Sequence, residues 1–180
     1  MRIIGGSHKG RKIQAPKKLP VRPTTDFAKE GLFNLLQNRL EISGLEVLDL
    51  CSGTGNIAYE FCSRGAAKVH CIDAHYPCIA YIKKTAANLE FKQLVARKAD
   101  LFKYLNQTKE RYDLIFSDPP YAMEGLEKLI DLVFERKLLN EGGLLILEHD
   151  KHSDFSKHPC FNNQRKYGNV NFTFFESPSE

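Results

Sequence analysis

The chain has 180 residues, 42% of them hydrophobic, and a formal net charge of +4. That composition suits one domain with a sizeable core and excludes a disordered chain. No apolar run approaches a membrane span and no apolar core follows the first charges, so neither a spanning helix nor a secretory signal is expected, and a cytoplasmic location is.

The chain opens with Arg2, Lys9, Arg11, Lys12, Lys17, Lys18 and Arg22 and no acidic residue among them. A one-signed stretch of this kind neutralises phosphates and points to a nucleic acid. Extended segments at 1–4 and 11–14 flank a run of turn formers, which predicts a basic β-hairpin over 1–21, appended to a domain over 22–180. A helix is predicted after Thr24-Thr25-Asp26, one of which caps it.

From residue 45 strands and helices alternate. Strands are predicted at 46–50, 69–72, 94–97, 113–117 and 143–148, with weaker candidates at 164–167 and 171–175. Helices are predicted at 56–64, 77–90, 102–106 and 126–135. Alternation implies an α/β fold with a parallel sheet and helices on both faces. Ligands in such sheets bind beyond the carboxyl ends of the strands, where strand order reverses. Gly53, Asp73, Asp100 and Asp118 each follow a different strand, so they are expected at one edge.

The five cysteines, Cys51, Cys62, Cys71, Cys78 and Cys160, form no C-x-x-C pair. Reduced thiols are expected. Cys71, His75 and Cys78 lack a fourth ligand at suitable spacing, so no metal is expected.

Gly53-x-Gly55-x-x-Ala58 after a strand resembles a dinucleotide fingerprint, with Asp73 placed to accept ribose hydroxyls. The pattern alone does not separate a nicotinamide cofactor from S-adenosylmethionine. Asp49, at the end of the first core strand, repels a pyrophosphate and attracts a sulfonium and an ammonium. Asp100 offers an acceptor for an adenine amino group or a cap for the next helix.

Asp118-Pro119-Pro120-Tyr121 follows an apolar strand. An exocyclic base amine is a poor nucleophile, because its lone pair is delocalised into the ring. The Asp118 carboxylate and the Pro119 carbonyl can accept its two N–H groups, while Tyr121 stacks on the extruded base. Pro120 completes the rigid turn.

These residues resemble the motifs of class I S-adenosylmethionine-dependent amino-methyltransferases. The residues Arg2-Ile3-Ile4-Gly5-Gly6, Gly10-Arg11-Lys12, Arg22-Pro23-Thr24-Thr25-Asp26 and Glu30-x-Leu32-Phe33-Asn34 narrow the resemblance to the RsmD-type 16S rRNA guanine-N2 methyltransferases. It covers nearly the whole chain. It implies a Rossmann-like seven-stranded sheet with the last strand antiparallel. It also implies methylation of a guanine in 16S rRNA, within a small ribosomal subunit or an assembly intermediate; a monomer is expected from the chain's size. By the same resemblance Asp49, Gly53, Gly55, Asp73, Asp100 and Asp118 line the cofactor and amine sites. Arg22, Thr24 and Thr25 form a loop over the methionine end, and Lys9, Arg11 and Lys12 touch RNA. Three other readings stay open: an amino-methyltransferase acting on adenine or cytosine of DNA or other RNA, an RNA-binding module with a vestigial fold, and a nicotinamide dehydrogenase.

Overall fold

The computed structural model describes residues 1–19, 21 and 24–178. Seven strands form one sheet: β1 (Glu46–Leu50), β2 (Lys68–Asp73), β3 (Leu94–Lys98), β4 (Tyr112–Ser117), β5 (Leu139–His149), β6 (Phe161–Tyr167) and β7 (Val170–Phe175). Their order is β3-β2-β1-β4-β5-β7-β6. The first five strands run parallel, and β7 is antiparallel to both of its neighbours. Strand order reverses between β1 and β4, which opens a crevice at their carboxyl ends.

Helices α1 (Asp26–Arg39), α2 (Asn56–Ser63) and α3 (Tyr76–Asn88) cover one face, and α4 (Leu101–Gln107) and α5 (Leu126–Glu135) the other. Val47, Leu114, Phe116, Leu144, Ile146, Phe172 and Phe174 point to the α1–α3 face, while Leu48, Ile115, Leu145 and Leu147 point to the α4–α5 face. The two sets alternate along each strand, as a pleated strand buried on both sides requires. Thr25 caps α1 by accepting the Ala28 amide at 3.2 Å, and Asp100 caps α4 by accepting the Lys103 amide at 2.9 Å. Pro77 sits in the first turn of α3, where its missing N–H costs nothing.

Two expectations are corrected in detail. β5 starts at Leu139, not at 143, because Leu139 already pairs with Tyr112 and the register then shifts. Gly142-Gly143 forms this irregularity: a Cβ on Gly143 would lie 2.7 Å from the Asn140 carbonyl oxygen. The N-terminal hairpin has one β-bridge, Arg2 with Lys12, closed by a 3-10 turn at Gly6–His8. Its grip on the domain comes from side chains. Ile3 and Ile13 are buried in the core of the α1–α3 face. Glu60 of α2 accepts the amides of Ile4 at 2.8 Å and Gly5 at 2.9 Å.

Candidate active site

β1 and β4 bring the glycine turn and the tetrapeptide together. Leu50 pairs with Ser117, and the Asp118 amide donates to the Leu50 carbonyl at 3.4 Å. The turn is braced from β2: the Ser52 amide donates to the Ile72 carbonyl at 3.2 Å and the Gly53 amide to Asp73 Oδ2 at 2.9 Å. Asp73 Oδ1 accepts the His75 amide at 2.8 Å, so this carboxylate also shapes the entry to α3. Gly55 has φ of +82°, and a Cβ there would lie 2.6 Å from the Tyr59 ring, so the turn tolerates no side chain.

Alternation then selects the acids. Asp49 shares its face with Val47, Asp118 continues the face of Phe116, and Glu148 that of Ile146. All three belong to the carboxyl ends of adjacent strands, on the α1–α3 face. Among the described residues none of them has an ion-pair partner. Burial pushes the Asp49 carboxyl well above the usual carboxylate range, and Asp73 and Glu148 add to it. Burial raises Asp118 likewise, with Glu148 and Asp49 adding. Glu148 is pushed up to about 7 by burial, opposed by a hydrogen bond from Thr24. The Cys51 thiol, on the turn itself, is pushed up to about 12 by burial first and then by Asp73, Asp49, Asp118 and Asp100. All four carboxylates named from sequence thus act on the Cys51 thiol.

Such a cluster is costly unless a cation enters it. Among the described residues Asp49 Oδ2 is buried without a hydrogen-bond partner, an orphan acceptor. A sulfonium and an ammonium satisfy it, and a pyrophosphate does not. The residues present fit S-adenosylmethionine. Asp49 and the Gly53–Gly55 turn would hold its methionine end, Asp73 the ribose and Asp100 the adenine.

Thr24 is buried and donates its hydroxyl to Glu148 Oε2 at 3.0 Å, and its carbonyl accepts Asn56 Nδ2 at 3.0 Å. Thr25 serves as the α1 cap. Val21 lies over the glycine turn, its Cβ 3.5 Å from where a Gly53 side chain would begin. Arg22 falls outside the described residues. Pro119 is buried, and Pro120 and Tyr121 are exposed at the mouth. Lys9, Arg11 and Lys12 are exposed on the hairpin, away from the acids.

Sequence reasoning missed Glu148. Its signal was available: an acid ending the apolar run 144–147, as Asp49 ends its own strand. It also missed the buried Lys29, whose Nζ donates to the Arg2 carbonyl and to Asn56 Oδ1 at 2.8 Å and lies 3.4 Å from Glu60 Oε1. The chain Arg2–Lys29–Asn56–Thr24–Glu148 thus joins the basic hairpin to the acidic site.

The family model described as Conserved hypothetical protein 95 matches residues 1–176. Ribosomal RNA small subunit methyltransferase D of Escherichia coli K12 is 31% identical over 150 residues, covering 83% of this chain and 75% of that one. The protein of the same name from Buchnera aphidicola subsp. Baizongia pistaciae is 30% identical over 150 residues, covering 83% and 76%. The solved structure of the Escherichia coli protein yhhF superposes with a TM-score of 0.87 at 27% identity, covering 100% of this chain and 99% of that one. The chain belongs to the family described as Conserved hypothetical protein 95, the RsmD-type methyltransferases, and S-adenosylmethionine is its cofactor.

Proposed function

We propose that this protein methylates the exocyclic N2 amine of one guanine in 16S rRNA, within a small ribosomal subunit or an assembly intermediate, acting as a monomer in the cytoplasm. The observation that carries the reading is Asp118, tied by its amide to the end of β1, beside Asp49 with its orphan oxygen. Donor site and amine site are thereby one crevice. The relatives named for small-subunit rRNA methylation support the RNA class, and the basic hairpin supports a polyanionic substrate.

S-adenosylmethionine supplies an electrophilic methyl group when bound. Asp118 and the Pro119 carbonyl accept the two amine protons and turn the nitrogen lone pair toward that methyl. Attack on that methyl would form the N–C bond and leave the C–S electron pair on sulfur. The surplus proton on nitrogen passes to Asp118. A carboxyl raised by burial and by Glu148 is suited to take it near neutral pH. Tyr121, exposed at the mouth, stacks on the extruded base. The described residues include no helix long and apolar enough to cross a membrane.

The test uses labelled S-adenosylmethionine and small subunits lacking the modification. Methyl groups should enter 16S rRNA, and mass spectrometry of digested rRNA should place them on guanine N2. Asp118→Ala should abolish turnover while subunit affinity remains. Label on another base, or full activity in Asp118→Ala, rules the assignment out.

A further inference from the structure

Among the described residues four large apolar side chains are exposed, and three are aromatic: Phe27, Tyr76 and Tyr121. All three stand at the carboxyl edge of the sheet. Tyr76 opens α3 behind Asp73, and Tyr121 ends the tetrapeptide. Phe27 lies in the first turn of α1, two residues past the Thr25 cap, and belongs to neither the cofactor nor the amine site. It is 66% exposed.

The Phe27 ring is held in place. It meets Tyr167 edge-on, with centroids 6.2 Å apart at 79°. Tyr167 is itself fixed: its hydroxyl donates to the Gly31 carbonyl at 3.1 Å, and its ring packs on Phe172 at 6.0 Å. Gly31 makes room for it, since a Cβ there would lie 2.3 Å from the Tyr167 ring. Strand register places the pair. His149 pairs with Asn171, which pairs with Lys166, so Tyr167 stands one step beyond the level of His149. That is the edge, and the α1 face, on which Glu148 and Asp118 lie. Arg165, exposed, pairs with Phe172 and so stands on this same face two residues before Tyr167. Asp26 beside Phe27 is faced by Arg2 at 3.8 Å.

We propose that Phe27, braced by Tyr167, stacks an unpaired nucleobase of the RNA neighbouring the methylated nucleotide, with Arg165 taking a flanking phosphate. The proposal rests on the rRNA reading above. Extruding one base leaves its neighbours unstacked, and a rigid ring restores what they lose without reading sequence. A single ring beside a cation suits a base next to a phosphate better than an apolar protein surface, which needs a broader patch.

Phe27→Leu keeps an apolar side chain and removes the ring, and Phe27→Trp restores one. With unmodified small subunits, Phe27→Leu should raise the RNA KM about tenfold at unchanged kcat. Melting temperature and S-adenosylhomocysteine affinity should not move. Phe27→Trp should recover the loss, and binding to protein-free 16S rRNA should weaken by a similar factor. An unchanged KM overturns the proposal. So does a loss confined to assembled subunits, which would make the partner a protein, or a loss shared by the melting temperature, which would make the ring structural. If the wild-type protein methylates no rRNA, the functional reading itself fails, an outcome distinct from all of these.

Discussion

Thr24 and Glu148, 124 positions apart in sequence, meet through a hydroxyl-to-carboxylate hydrogen bond of 3.0 Å. The bond joins the residue before the α1 cap to the end of β5 and favours the ionised form of a buried acid. Thr24→Val keeps the shape and removes the donor. One such bond is worth about 1 kcal/mol, so the Glu148 pKa should rise by a further ~0.7 unit. The acid limb of the methylation rate against pH should move up by a similar amount. A limb that stays in place would show that Glu148 does not govern the rate.

Glu148 also makes stability depend on pH. Its folded pKa of about 7 lies above its ordinary 4.5. Between those values the folded state binds more protons than the unfolded one, so stability falls as pH rises through that window. Glu148→Gln keeps an acceptor for Thr24 and removes the titration. The stability of wild type relative to Glu148→Gln should therefore drop by about 3 kcal/mol between pH 4.5 and 7.5 in denaturant melts without cofactor. The comparison cancels the buried His70 and His149, whose lowered pKa values act in the opposite direction. S-adenosylmethionine, bringing positive charge to the ionised cluster, should stabilise the wild type more at pH 8 than at pH 5.5. A flat difference between the two proteins would remove Glu148 from the titrating set.

The sheet was legible because periodicity and turn chemistry agreed along most of it. The bounds of β1 coincide with expectation, and α1 and α4 start at the caps that Thr25 and Asp100 advertise. The placement of Asp49, Asp73, Asp100 and Asp118 at one edge was legible because each lies at or just past the carboxyl end of a strand of the parallel set. Glu148 was not, since an acid at a strand end means something only once the neighbouring strand is known. The start of β5 was lost because Gly142-Gly143 is as good a turn as an irregularity. The buried charges were lost for a different reason. Lys29 and Glu60 sit at helical positions where charge ordinarily faces water, and only the hairpin folded back over them takes that water away.

Glu60 should therefore behave as a structural keystone without touching the chemistry. It accepts the Ile4 and Gly5 amides, receives Arg64 Nε at 2.8 Å and faces Lys29. Glu60→Gln leaves the fully buried Lys29 ammonium without a countercharge. Losing one partner of a buried pair costs about 3–5 kcal/mol. For a chain of this size that lowers the melting temperature by roughly 10 °C. Limited trypsin digestion should then cut sooner within residues 9–18, because one of the two hairpin amides loses its acceptor. An unaltered digestion pattern would mean that Ile3 and Ile13 hold the hairpin unaided.

Because the hairpin backbone is pinned from inside, its outward side chains can be changed without releasing it. Lys9, Arg11 and Lys12 are exposed, and their substitution by alanine buries no charge and opens no cavity. The triple variant should melt like wild type and bind S-adenosylhomocysteine equally well. Its affinity for 16S rRNA should fall, and the fall should be electrostatic. Every phosphate left unneutralised keeps its condensed counterion, so the slope of log affinity against log salt should shrink in magnitude by about 2–3. Above roughly 0.5 M salt the two proteins should converge, since screening by then suppresses the exposed charges in both. Equal slopes with a uniform loss of affinity would point to shape recognition by the hairpin, and equal affinities throughout would take the hairpin out of RNA binding.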